Sequence, residues 1–158
     1  MWRTTHGRAP RGLRANYDKV AMSIDEIAEA LKDMQSGQEI NRRTGTAHAA
    51  ILIEQYHRVV REDIGRHNAV DKVAGWAVRH AWNPSNLCLL AVSSRLTFEI
   101  IHKAARLRVP IVAAISGVSG LAVRTAERAG ITVVAYAREG RMTIYTHKER
   151  IIGERVNT

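Results

Sequence analysis

Three uninterrupted apolar runs, LCLLAV (87–92), IVAAIS (111–116) and ITVVAYA (131–137), constrain this chain more than any other feature. A strand with one wet face alternates apolar and polar residues, so runs without alternation predict strands covered on both faces. Between them lie RLTFEIIHKAARLR (95–108) and SGLAVRTAERAG (119–130), whose apolar residues recur at the three- and four-residue spacing of helices. Pro110 is expected to stop the first helix and Gly130 to cap the second. This alternation predicts right-handed crossovers and an α/β fold: a three-layer sandwich with a mixed, largely parallel sheet and helices on both faces.

The flanking segments extend the pattern. AHAAILIE (47–54) and VVREDI (59–64) are close enough to pair as antiparallel neighbours, and HNAVDKVAGWAVRH (67–80) predicts a helix that turns Val70, Val73, Ala74, Ala77 and Val78 toward the sheet. Ser23 and Glu26 form a capping box for a helix over 24–34, with Ile24, Ile27, Ala28, Leu31 and Met34 on one face and Ser36 and Gly37 at its end. Glu139 and Gly140 fit a tight hairpin leading into RMTIYT. Residues 1–22, rich in Arg and Gly, read as an arm or loop ahead of one domain over 23–158. A chain of 158 residues, 46% of them hydrophobic, can bury one continuous core.

The 24 Lys and Arg against 15 Asp and Glu, a formal charge of +9, favour polyanionic partners. Only 5% of residues are aromatic and none interleaves with a basic stretch, which argues against general nucleic-acid binding. The single Cys88 can form no internal disulfide, and no apolar run has the length of a signal peptide or membrane span, so the expected compartment is the cytoplasm.

Ligands of such sheets gather at the carboxyl ends of the strands, and three polar clusters fall there. REDIGRHNAVDK (61–72) sets Glu62, Asp63, Gly65, Arg66, His67, Asn68, Asp71 and Lys72 around a strand-to-helix turn whose amides suit an anion; alternatively Asn68 or Asp63 merely caps the helix and the remaining charges are solvated. Ser93, Ser94 and Arg95 offer two hydroxyls and a guanidinium at the next turn; Ser116, Gly117, Ser119 and Gly120 form a small, flexible loop at the third, able to wrap a phosphate or simply to allow close packing. His48, among alanines, reads either as a satisfied strand histidine or as part of a site. Cys88, inside LCLLAV, reads as a structural thiol, with sulfur transfer a weak second role. YAREGR (136–141) brings Arg138 and Arg141 together across a turn, able to grip phosphate or simply solvated. One cysteine excludes a multi-cysteine zinc site, and no H-E-x-x-H, G-x-S-x-G, Walker loop or GxGxxG occurs.

TGTAHAA, REDIGRHNAVDK, AVSSRLTFEIIHKA, SGLAVRTAERAGITVVAYAREGR and IYTHKER, in this order, resemble the carboxyl-terminal domain of the FdhD family from about residue 23 to 151. The resemblance implies a cytidine-deaminase-like fold and an accessory role for formate dehydrogenase. Family members take persulfide sulfur from a cysteine desulfurase and pass it to the bis-molybdopterin guanine dinucleotide cofactor before its insertion into the catalytic subunit. By resemblance, Tyr136, Ala137, Arg138, Glu139, Gly140 and Arg141 occupy the family's cofactor-binding segment, with GDP a partial mimic of the cofactor. His48, Asp63, Gly65, Arg66, His67, Asn68, Ser93, Ser94, Arg95 and Ser116 are the further candidates for the same site. True deaminases hold zinc through H-x-E and P-C-x-x-C. Here Ala69 stands two places after His67 and no cysteine pair occurs, so deamination is not expected.

The family's sulfur-carrying C-x-x-C pair is also missing from this sequence. Either the chain is part of a longer protein or it is a shortened member that binds cofactor without carrying sulfur; the sequence leaves both open. Three functions compete: cofactor binding and delivery, sulfur transfer through Cys88 or another chain's cysteine, and an RNA-binding remnant of the deaminase fold, which ranks last. The resemblance also makes a homodimer plausible.

Overall fold

The structure is a computed structural model that describes residues 20–55 and 57–153. In chain order its elements are β1 (Met22–Ser23), α1 (Ile24–Ser36), α2 (Glu39–Thr44), β2 (His48–Glu54), β3 (His57–Asp63), α3 (Arg66–Arg79), β4 (Leu87–Val92), α4 (Phe98–Leu107), β5 (Ile111–Ala114), α5 (Gly120–Ala129), β6 (Thr132–Arg138), β7 (Arg141–Ile144) and β8 (Ile151–Ile152). Six strands form one sheet in the order β3-β2-β4-β5-β6-β7. The β4–β5 and β5–β6 pairs are parallel, and β2 and β7 run against their neighbours, so β3, β4, β5 and β6 all point the same way. This is the mixed, largely parallel sheet that the apolar runs predict.

The two faces of the sheet carry separate cores. On one, Leu90, Val92, Val112 and Val133 pack with Val70 and Val73 of α3, Ile100 and Ile101 of α4, and Ala122 and Ala126 of α5. On the other, Ile51, Leu89, Ile111 and Val134 meet Ile24, Ile27, Leu31 and Met34 of α1. Successive residues of one strand thus enter opposite cores, as strand geometry demands. The apolar runs lack alternation because neither face meets water.

Helix ends follow local chemistry. Ser23 Oγ accepts from the Glu26 amide at 3.1 Å while the Glu26 carboxylate accepts from the Ser23 amide at 2.7 Å, the predicted capping box. α5 ends on Gly130 at φ 75°, a left-handed cap that glycine adopts without a Cβ penalty. α4 ends earlier than Pro110 predicts: Arg108 already takes the left-handed conformation at φ 64° and turns the chain before the proline. Val78, expected inward, is 74% exposed. Ala69, Val70, Val73 and Ala77 already complete the buried stripe of α3, and Val78 lies a further 100° round the helix from Ala77.

Most of the predicted arm, residues 1–19, lies outside the described residues, but Met22 and Ser23 pair in parallel with Ile151 and Ile152. Near that end, the buried Arg150 donates to the Gly130 carbonyl at 2.7 Å and to Thr132 Oγ1 at 3.0 Å. It thereby ties the last segment to the α5–β6 junction.

Candidate functional site

Strand polarity assembles the site. β3, β4, β5 and β6 all finish at one edge of the sheet, and β2, antiparallel to β3 and β4, starts there. His48 stands opposite Asp63 in the β2–β3 register; Ser93 prolongs β4, its amide donating to the Ala49 carbonyl at 3.0 Å and its Oγ accepting from the Ala49 amide at 2.8 Å. Tyr136, near the end of β6, lies beside Ser116 and donates its amide to the Ser116 carbonyl at 2.9 Å. The sequence candidates therefore line a single edge, spanning from β3 to β6 roughly 19 Å at the usual strand spacing.

Within that row the turn 63–68 is tightly self-satisfied. Asp63 accepts from the Gly65 amide at 2.9 Å and from Asn68 Nδ2 at 3.2 Å, and its other oxygen pairs with Lys72 at 2.8 Å. These contacts, Lys72 foremost, lower the Asp63 pKa to about 2. Gly65 uses no special backbone freedom, lying at φ −90°; space decides its identity, because a Cβ there would stand 3.0 Å from Asn68 Nδ2. Lys72 also donates to the Glu62 carbonyl, while the buried Glu62 carboxylate accepts from the Ile40 and Asn41 amides at 2.8 and 2.9 Å. Glu62, Asp63, Asn68 and Lys72 thus hold the turn in place, whereas Arg66 makes no ion pair and His67 Nδ1 no hydrogen bond among the described residues.

α3 and α4 both begin at this edge, and neither N-cap residue, Gly65 or Thr97, caps its helix through a side chain. The buried His67 Nδ1 has no hydrogen-bond partner among the described residues. Helix-start amides and an unpaired polar atom favour an anion or another polar ligand group. Glu99 stands nearby, held below the ordinary carboxylate range first by the backbone amide at the head of α4 and then by the Thr97 hydroxyl, with the charges of His67 and Arg66 adding to the effect. Ser93 to Arg95 do not start α4 as the sequence suggests: Thr97 is the N-cap, and the Leu96 and Ser119 amides are taken by the Gly117 and Leu96 carbonyls. Ser94 is buried with its hydroxyl on the Arg95 carbonyl, whereas the Arg95 side chain is exposed. Ser119 caps α5 through the Ala122 amide.

At the far end of the row stands the hairpin. Glu139 and Gly140 take φ 52° and 72°, both left-handed, so Arg138 and Arg141 face each other in the β6–β7 register. A bulge between Ala135 and Arg138 puts Tyr136 at φ 53°, a costly conformation for a tyrosine; the residue is 55% exposed and the hydroxyl end of its ring lies against Gly117. Arg138 Nε donates to the Ile115 carbonyl at 3.3 Å, which orients the guanidinium. Beneath the hairpin a cavity of about 410 Å³ is lined by Arg138, Glu139 and Arg141 on one side and by Ala28, Lys32 and Gln35 of α1 on the other. Among the described residues no ion pair holds Arg66, Arg95, Arg138 or Arg141. Unpaired guanidiniums suit phosphate groups.

Cys88 lies one residue from the start of β4, at the opposite end of the sheet from this edge. Its thiol, half-buried and donating to the Asn86 carbonyl at 3.3 Å, has its pKa raised by desolvation. Among the described residues no group of three His, Cys, Asp or Glu could hold a metal ion, and no helix is long and apolar enough to cross a membrane. Sequence reasoning missed the α1 wall of the cavity. Ala28, Lys32 and Gln35, spaced i, i+4, i+7, carried the signal as a polar-edged stripe beside the buried one.

The FdhD/NarQ family model matches residues 5–152. A sulfur carrier protein FdhD from Nocardia farcinica is 42% identical over 134 residues, covering 84% of this chain and 48% of the relative; that of Mycolicibacterium paratuberculosis is 46% identical over 120 residues, 75% of this chain and 44% of the relative. The chain thus spans about half the length of the curated relatives it matches. Among solved structures, one described as a formate dehydrogenase accessory protein from Desulfotalea psychrophila superposes with a TM-score of 0.77 at 30% identity, covering 84% of this chain and 57% of that one. By family match, relatives and fold together, the chain belongs to the FdhD/NarQ family.

Proposed function

We propose that this chain is the cofactor-binding part of a formate dehydrogenase accessory system and that its cargo is bis-molybdopterin guanine dinucleotide. The observation that carries this reading is the pair Arg138 and Arg141, facing each other across a left-handed turn over a cavity of about 410 Å³ with no acid paired to either. Guanidiniums recognise phosphate oxygens bidentately, and the cargo carries pyrophosphate groups. Further along the same edge, Arg66, His67 and the starts of α3 and α4 supply a second polar region for an extended ligand. The molybdenum chemistry belongs to the cargo; the residues of this chain bind and orient it.

The relatives are named sulfur carriers, and on this reading sulfur comes from a cysteine desulfurase for delivery to the cofactor of the formate dehydrogenase catalytic subunit. Cys88 is not the carrier. Its distance along β4 from the strand ends, its raised pKa and its hydrogen bond to Asn86 all oppose a persulfide reaching the edge. The carrier cysteine is therefore assigned to another segment or chain.

Calorimetric titration with GDP, with AMP as control and an R138A/R141A double variant alongside, tests the reading. Selective GDP binding that the double variant loses is the expected result. Equal binding of AMP, or GDP binding unaffected by the double substitution, overturns it.

A further inference from the structure

We propose that α1 supplies Lys32 as the third cation of a diphosphate site closed between this helix and the β6–β7 hairpin, with Gln35 beside it as a neutral hydrogen-bonding group. The inference rests on the reading of the hairpin as the cofactor's phosphate grip and extends it to a helix that no motif marks.

Lys32 and Gln35 line the cavity opposite Arg138 and Arg141, and the small Ala28, one turn before Lys32, leaves the space open. Their spacing puts all three on one stripe of α1, flanking the stripe of Ile24, Ile27, Leu31 and Met34 that anchors the helix to the sheet. The lysine is thus presented by a rigid, well-packed element rather than by a loop. Glu29 stands one turn back and Asp33 is adjacent, yet Lys32 makes no ion pair among the described residues, and Asp33 instead pairs with Arg58.

Charge completes the case. Three cations, Lys32, Arg138 and Arg141, share the cavity with one acid, Glu139, and none of the three has an acidic partner. Converging like charges repel unless an anion sits among them, and a diphosphate matches both the charge and the number of donors. The ligand's phosphates would then lie on the α1 face of the hairpin, off the strand-end row, so that the cargo folds over the hairpin rather than lying flat along the edge.

The full chain is titrated calorimetrically with GDP and with inorganic pyrophosphate as Lys32→Ala, Lys32→Arg and R138A/R141A variants, and Lys32 acetylation by acetic anhydride is followed by mass spectrometry with and without GDP. Loss of one charge-assisted contact predicts about tenfold weaker binding of both ligands in Lys32→Ala. Lys32→Arg should retain binding, and GDP should protect Lys32 from acetylation. If R138A/R141A loses GDP while Lys32→Ala binds within twofold of the parent and Lys32 labels at an unchanged rate, the inference is wrong and the hairpin reading stands. If the parent chain binds neither ligand, both fall together.

Discussion

The Tyr136 hydroxyl occupies the space a side chain at Gly117 would need: a Cβ added there would stand 2.8 Å from it and 3.1 Å from the ring carbon that bears it. Gly117 therefore matters for the close approach of a ring that projects from a bulge in β6 at the strand-end edge. Gly117→Ala should displace the ring with little effect on the fold, because the clashing atom is the far end of a side chain. Thermal stability should change by under about 1 kcal/mol, with reduced backbone entropy in the unfolded chain offsetting the clash. GDP binding should weaken by about fivefold if the ring packs on the ligand, the worth of a typical aromatic contact. A variant that melts and binds like the parent would remove Tyr136 from the site.

Asp63 predicts an acid limb in the stability profile. Its pKa is about 2 in the folded chain against an ordinary 3.8, through Lys72 first and then the Gly65 amide and Asn68. The unfolded chain therefore binds this proton more readily, and the stability that the carboxylate contributes above about pH 4 is lost as pH falls from 3.8 toward 2. Melting temperatures between pH 5 and pH 2 should fall less steeply in Asp63→Asn than in the parent. Parallel curves would assign the acid limb to other carboxylates.

The same turn marks how far local sequence reaches. Runs such as LCLLAV were legible as buried strands because two cores cover the sheet, and the Glu139–Gly140 hairpin because left-handed residues announce themselves. α2 was not legible: its six residues bury no side chain, and its first amides are held by Glu62, more than 20 positions away. The polar clusters were legible at strand ends, but the division of labour inside REDIGRHN was not. Which carboxylate holds the turn and which imidazole is left without a partner depends on contacts made only after folding. The cavity wall from α1 was hidden for the same reason, since Lys32 meets the hairpin across more than a hundred residues of chain.

Cys88 should behave as a structural thiol. Desolvation raises its pKa, and its sulfur is engaged with the Asn86 carbonyl. Iodoacetamide at pH 8 should alkylate it at least about tenfold more slowly in the folded chain than in urea, since the thiolate is the reactive form. Cys88→Ser should leave GDP binding unchanged. Rapid labelling of the folded chain, or loss of sulfur transfer in a reconstituted formate dehydrogenase assay on Cys88→Ser, would return Cys88 to the list of carriers.

Glu139 is the single acid in the hairpin cavity and also a non-glycine residue at φ 52°, so one substitution addresses conformation and charge together. Asparagine tolerates the left-handed region better than glutamate and favours the first position of this turn type. Glu139→Asn should therefore stabilise the chain by about 1 kcal/mol, or about 3 °C in melting temperature for a domain of this size. Removing the negative charge beside Lys32, Arg138 and Arg141 should also tighten pyrophosphate binding severalfold, most clearly at low salt, where screening is weakest. Calorimetry at two ionic strengths separates the effects: a rise in melting temperature without tighter pyrophosphate binding would mean that the three cations do not act on one anion.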